Sequence, residues 1–331
     1  MSRTKDAILT MLFANRRQFL SGQTISDQLG CSRTAVWKHI KELEKEGYVI
    51  ESVQKRGYRL ALSPDRLSAP EITAGLETER FGRTIVYEPS MSSTQKVAHH
   101  LAEDGAEEGT LIVTDEQTEG RGRLGRHWDS GANRGIWMSL ILRPSLQLKK
   151  IPPLTLLAAV AVVKAINKVT QTACAIKWPN DILYDGKKLV GILTEMQAEE
   201  QTARAVILGI GMNVNTRIEQ FPENLRSVAT SLYEITGKDQ SRVQLIQSIL
   251  KELEDLYHLY LTNGFAPIKL MWESYALCLG RVIHARTVQG DVIKGMAKGI
   301  SEEGVLLLED ANGEIHSIYS ADIQFDSPNP S

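Results

Sequence analysis

The sequence predicts an α+β protein of three successive parts, and three observations carry that prediction. The first 60 residues show helical apolar spacing interrupted by a glycine turn. The middle of the chain alternates strand-like and helix-like segments around an Asp-Gly pair. From Arg281 onward there are only short apolar runs punctuated by glycine. A chain of 331 residues exceeds one ordinary core and allows two or three domains, expected here at residues 1–63, 64–275 and 276–331.

In the first part, Ile8, Leu9, Leu12 and Phe13 recur at helical spacing and predict an amphipathic helix ending near Asn15. A shorter helix follows through Thr24 to Leu29. It is closed by Gly30, which reaches the left-handed conformation at little cost, and Ser32 then caps a third helix running to about Glu46. Helix, tight turn and capped helix form a helix-turn-helix. Val36, Ile40 and Leu43 share one face of the third helix. Arg33, Thr34, Trp37, Lys38 and Lys41 are left for a major groove, with Thr24 and Ser32 at the helix starts beside them. Residues 48–52 and 57–60 read as two strands around Gln54-Lys55-Arg56, so that Lys55 and Arg56 form the phosphate-contacting tip of a wing. Charge agrees with a polyanionic partner: residues 1–60 hold 11 Lys and Arg against 6 Asp and Glu, a balance of +5 that leaves −7 for the remainder. A helical protein-interaction module with solvated charges is the competing reading.

Ser63 to Pro70 has the polar and proline content of a linker. Beyond it, residues 110–114 and 135–142 read as strands, 154–169 as a helix, and 176–184, 189–196 and 205–214 as further strands. Asp185-Gly186 marks a hairpin, so part of the sheet is antiparallel. Between the first two strands runs Gly120-Arg121-Gly122-Arg123-Leu124-Gly125-Arg126-His127-Trp128. Its glycines admit close backbone approach, and its arginines offer forked donors matched to phosphate or carboxylate oxygens. No Gly-Lys-Ser/Thr follows, so it is not a Walker A loop. It suits a polyphosphate, with a basic RNA-binding loop as the alternative. Gly209-x-Gly211-x-x-Val214 ends in Val, which removes a dinucleotide fingerprint and favours a strand that bends beside a ligand.

These segments resemble the biotin protein ligases of the repressor-bearing bacterial type. The family loop has the form Gly-Arg-Gly-Arg-x-Gly-Arg-x-Trp, and Gly120 to Trp128 match it throughout. Lys177-Trp178-Pro179-Asn180-Asp181, Lys187 to Leu193 and Gly209 to Asn215 follow in family order. The resemblance covers essentially the whole chain. It implies a class II synthetase-like central domain, an SH3-like small β-barrel at the C-terminus, and ATP with Mg²⁺ and biotin as substrates. It also implies a biotin carboxyl carrier protein as acceptor, operator DNA as partner, and a homodimer promoted by biotinyl-5'-AMP.

By position, the resemblance implies that Ser93, Thr94 and Gln117 contact the biotin ring. Gln95, which stands where the family often has Asn, is counted among the biotin-binding residues with them. Arg121, Gly122 and Arg123 close over the biotin carboxylate and phosphates, and Lys188 reaches the biotin carboxyl and the reacting phosphate. Arg123, Arg126, Trp128, Asn180, Asp181 and Asn213 line the nucleotide side. Arg121, Arg123 and Lys188 are the expected catalytic cations. A ligand-sensing repressor with an inactive ligase domain, and a lipoate ligase, are the alternatives.

The rest of the chain excludes other classes. Cys31, Cys174 and Cys278 show no Cys-x-x-Cys spacing and read as small buried residues, and the seven histidines form no metal pattern, so no dedicated metal site is expected. The longest apolar stretch, Pro153 to Val163, is short of a membrane span, and the start lacks a signal peptide's apolar region, which points to the cytoplasm. Ser241 to Asn263 reads as an amphipathic core helix stopped by Gly264. Residues 282–285, 292–295, 304–308 and 315–319 read as strands of a small barrel.

Overall fold

The computed structural model describes residues 3–200, 202–287 and 289–325. They form two compact units, one of residues 1–77 with 241–247 and one of residues 78–240 with 248–331.

The first unit contains helices α1 (Arg3–Ala14), α2 (Gly22–Leu29) and α3 (Arg33–Lys45), strands β1 (Val49–Val53) and β2 (Gly57–Leu62), and helix α4 (Ala69–Ala74). Its caps are those the sequence encodes. Gly30 takes φ 62° after α2, and the Ser32 hydroxyl accepts the Ala35 N–H at 3.1 Å at the start of α3. Ile8, Leu9, Leu12, Phe13, Ile25, Val36, Ile40 and Leu43 make its core together with Tyr48, Ile50 and Leu60 of the wing. The expected linker is only partly one, because Ser68 caps α4. Asp65 accepts the backbone N–H of Arg242 at 3.0 Å and its Nε–H at 2.9 Å, and Arg242 is itself fully buried. Glu71 is also buried, accepting hydrogen bonds from the hydroxyls of Ser63 and Ser68 at 2.7 Å each.

The second unit is built on a seven-stranded sheet. Its strands are β3 (Ile85–Met91), β4 (Leu111–Gln117), β5 (Gly135–Leu142), β6 (Ala175–Lys177), β7 (Asp181–Tyr184), β8 (Lys187–Glu199) and β9 (Thr202–Asn213), in the order β3-β4-β5-β9-β8-β7-β6. Only β3 and β4 run parallel. The single strand expected over 176–184 is two, β6 and β7, since Pro179 has no N–H to donate to a ladder. Helix α5 (Thr94–Glu103) packs on β4, β5 and β9, and helix α6 (Pro153–Thr170) packs on β8 and on α9 (Ala266–Tyr275). A short α7 (Leu232–Thr236) precedes α8 (Arg242–Asn263), where Leu245, Ile249, Leu253, Leu256 and Tyr260 are buried as the pattern requires.

Residues 148–170 exceed the sequence expectation. This segment is long and apolar enough to span a membrane by length and composition, with a mean hydropathy of 1.4, yet 67% of its apolar window is buried in the protein's own core. Strands β10 (Val282–Thr287), β11 (Val292–Ile300), β12 (Leu306–Glu309), β13 (Ile315–Ile318) and β14 (Ala321–Phe325) complete the unit. They form a five-stranded antiparallel sheet ordered β13-β12-β11-β10-β14, whose edge strands β13 and β14 do not pair among the described residues. Cys174 and Cys278 are buried, and burial pushes their thiols up to about 12 and about 11; Cys31 is only half-buried.

Candidate functional site

A cavity of about 450 Å³ opens in the second unit, within the range of about 300–1,000 Å³ typical of small-molecule sites. It is lined by Ser93, Thr94, Gln95, Gln117, Arg121, Gly122, Arg123, Arg126, Trp128, Asn180, Asp181, Lys188 and Asn213. Every position assigned to biotin or nucleotide from the sequence is therefore brought to one place.

Strand register explains the room. Residues two apart on a strand share a face. Ser139 of β5 pairs with Gly209 of β9, and Gly191 of β8 with Gly211, so the floor carries small side chains. A Cβ on Gly211 would fall 2.6 Å from Trp128 Nε1, and one on Gly209 would fall 2.6 Å from Gln95 Oε1. The two glycines do not bend β9, contrary to expectation: pairing with β5 is regular from Val206 to Asn213. Their role is close approach. Trp128 meets Trp137 edge to face at 6.4 Å, and its indole Nε1 is buried with no acceptor among the described residues, leaving a donor for a ligand.

At one end a polar relay begins at the start of α5. Gln117 Oε1 accepts the Thr94 N–H at 2.9 Å and its hydroxyl at 3.1 Å, while Gln117 Nε2 donates to Ser130 Oγ at 2.9 Å. The Ser139 hydroxyl lies 2.9 Å from both Thr94 Oγ1 and Gln95 Oε1, and Gln95 Nε2 donates to the Ile207 carbonyl at 3.2 Å. Gln95 thus spends its amide on the sheet. Ser139 was missed in the sequence, although a lone hydroxyl in the otherwise apolar strand Gly135–Leu142 is the signal that marks it.

At the other end lie the cations. The glycine-arginine loop folds on itself: Gly122 N–H donates to the Arg126 carbonyl at 2.8 Å and Trp128 N–H to the Gly120 carbonyl at 2.9 Å, with Leu124 at φ 57° and Gly125 at φ 72° turning the tip. Arg123 donates to Asn180 Oδ1 at 3.0 Å and to Ser320 Oγ at 2.8 Å. Arg126 forms a two-pronged pair with Asp322 of β14. Burial lowers the Arg123 guanidinium's pKa, opposed by Asp181 and Asp322. The hydrogen bond with Asp322 raises that of Arg126 and holds the Asp322 carboxyl below its usual range. Arg121 is exposed, 4.0 Å from Glu119. Lys188 lies 2.7 Å from Asp181 and 5.2 Å from the centre of the Trp128 ring. Asn180 Nδ2 donates to the Ile192 carbonyl at 2.9 Å, and Asn213 Nδ2 to that of Thr230 at 3.0 Å. Ser320 and Asp322 had no sequence signal, being almost two hundred residues from the loop they hold.

Outside the cavity, Asp310, Glu314 and His316 bring possible ligand atoms within 4.8 Å of one another, and His316 and Asp310 are already hydrogen-bonded at 3.0 Å.

In the first unit, Thr24, Ser32, Arg33, Thr34, Trp37, Lys38, Lys41, Lys55 and Arg56 are all exposed, Trp37 by 53%. Three are partly committed. Ser32 caps α3, Thr24 Oγ1 lies 2.7 Å from Ser21 Oγ, and Lys41 pairs with Glu44 at 2.6 Å.

The first unit thus presents an exposed helix-turn-helix face, and the second a cationic cavity floored by a mixed sheet. Models of the biotin/lipoate A/B protein ligase family, an HTH domain and the biotin protein ligase C-terminal domain match residues 87–213, 4–59 and 278–326. The bifunctional ligase/repressor BirA proteins of Bacillus spizizenii strain W23 and Bacillus subtilis strain 168 are each 57% identical over 307 residues, covering 93% of this chain and 94% of theirs. The biotin protein ligase from Aquifex aeolicus in complex with biotin and ATP superposes with a TM-score of 0.64 at 33% identity, covering 73% of this chain and 98% of that one. The chain belongs to the BirA family of bifunctional ligase/repressors.

Proposed function

We propose that this protein joins biotin to a lysine of a biotin carboxyl carrier protein at the expense of ATP, and represses biotin genes with biotinyl-5'-AMP as corepressor of a DNA-binding homodimer. A biotin carboxylate oxygen attacks the α-phosphorus of Mg-ATP, and pyrophosphate leaves. The carrier's lysine amine then attacks the acyl carbon, losing a proton as AMP departs. Two anions must meet in the first step, so fixed cations that oppose the charge growing on the phosphoryl oxygens lower its barrier. Arg121, Arg123 and Lys188 are those cations in our reading. Ser93, Thr94 and Gln117 hold the ureido ring, and Arg126, Trp128, Asn180, Asp181 and Asn213 hold the nucleotide.

The observation that supports this reading is the convergence of Arg121, Arg123, Arg126 and Lys188 on one cavity with the polar relay around Thr94 and Gln117. Arg33, Thr34, Trp37, Lys38 and Lys41 would enter the major groove, as exposed positions of a recognition helix. We assign DNA binding to residues 1–63, catalysis to 64–275 and closure of the site to residues from 276 on. The test is pyrophosphate release and transfer to a carrier domain from protein, Mg-ATP and either biotin or lipoate. Turnover with biotin alone is expected, and turnover with lipoate alone or with neither acid contradicts the proposal.

A further inference from the structure

We propose that the connection between α1 and α2 is a second DNA-phosphate contact surface, joined to the wing in one platform of Arg16, Arg17, Lys55 and Arg56, with Phe19 as the residue that positions Arg56. The inference rests on the DNA-binding reading above and extends it beyond the recognition helix.

The connection is built into the wing. Leu20 N–H donates to the Tyr58 carbonyl and Tyr58 N–H to the Leu20 carbonyl, both at 2.8 Å, so Leu20 extends the ladder beside β2. Gly57 makes the approach possible, with φ +105° and a position where a Cβ would lie 1.9 Å from the Leu20 carbonyl oxygen. The half-buried Phe19 ring takes the guanidinium carbons of both Arg56 and Arg59 at 4.7 Å from its centre. These two arginines differ in what remains of their charge. Arg59 is paired with Glu51 at 2.6 Å, whereas Arg56 meets no carboxylate within ion-pair distance among the described residues.

Arg16 rests at 4.7 Å over Phe13, and Arg17 is exposed. Neither segment 14–21 nor 53–58 contains an acidic residue. A guanidinium stacked on a ring keeps its N–H edge free and loses less freedom on binding, which suits the bidentate geometry of phosphate. The same module carries the exposed helix α3, and a helix seated in a major groove brings backbone phosphates to the elements flanking it. That favours duplex DNA over an acidic protein surface.

The experiment measures affinity of the full chain, with biotin and Mg-ATP present, for a duplex selected by the wild-type chain from a random pool, as salt rises from 50 to 200 mM. Each lost phosphate contact makes the slope of log affinity against log salt shallower by about 0.9, so the affinity lost over that range shrinks by about 3.5-fold per contact. R16A/R17A is expected to flatten the slope by about 0.9 to 1.8, F19L by up to about 0.9, and F19W to restore it, with pyrophosphate release and unfolding temperature as in the wild type. Wild-type slopes in R16A/R17A and F19L would overturn the platform. Failure of the wild-type chain to enrich or bind any duplex would instead overturn the DNA-binding reading on which it stands.

Discussion

The ammonium of Lys188 lies 2.7 Å from a carboxylate oxygen of Asp181, at the mouth of the β7–β8 hairpin and above the Trp128 ring. The pair keeps a mobile side chain in the cavity and gives it a partner it can exchange for a phosphate. Lys188→Ala is expected to lower adenylate formation by more than about 10²-fold, the scale of losing one preorganised charge stabiliser. Pyrophosphate release with biotin and Mg-ATP measures it, and near-normal turnover removes Lys188 from the site.

Asp322 pairs with Arg126 at the lining of the cavity. Both partners are well exposed, so Asp322→Asn is expected to change stability by less than about 1 kcal/mol. It also removes one of the loop's two tethers to the C-terminal sheet region, leaving that of Arg123 to Ser320, and the KM for ATP should rise more than kcat falls. An unchanged KM shows that the tether does not position the loop.

Gly211→Ala introduces a Cβ 2.6 Å from the Trp128 indole nitrogen. The obstacle is the end of a side chain, so the sheet survives and Trp128 moves. Adenylate formation should fall while the unfolding temperature stays near the wild-type value, and a shifted tryptophan emission maximum reports the displacement. Full activity with altered emission would separate Trp128 from the chemistry.

Burial is the main influence on Glu71 and raises its pKa, with the hydroxyls of Ser63 and Ser68 opposing it. An acid whose folded pKa lies above its unfolded value, about 4.3, contributes stability that is complete below that value and lost as pH rises through the folded one. Glu71→Gln is therefore expected to melt above the wild type at pH 7, with the gap closing toward pH 4. A gap independent of pH contradicts the account.

Removing residues 1–63 should abolish duplex binding and spare most biotin transfer, read by gel shift and by carrier labelling. Retained operator affinity contradicts the assigned division of labour.

The sequence was most legible where local chemistry decides. Gly30, Ser32 and the spacing of Val36, Ile40 and Leu43 encode the helix-turn-helix, because caps and periodicity act within a few residues. The loop from Gly120 to Trp128 and the hairpin at Asp185-Gly186 were equally plain. What escaped depends on distant partners. Strand β3 and helix α5 had no assignment, and Thr94 and Gln95 reveal their purpose only when β5 supplies Ser139. Gly209 and Gly211 suggested a bend, whereas what demands glycine there is a side chain from elsewhere, Gln95 of helix α5 and Trp128 of the glycine-arginine loop. Pro179 divides a run that apolar pattern alone reads as continuous.

The hold of Ser320 and Asp322 on the arginine loop also has a meaning in time. When the ribosome finishes β9 at Asn213, the seven-stranded floor of the cavity has all its strands, but 109 residues remain before Asp322 exists. At roughly 5–20 residues per second that is an interval of about 5 to 20 s during which a nascent chain carries a floor without the fastening of its loop. Strand β14 thus sets when the loop can be fastened, because the tether depends on residues made well after the floor they serve.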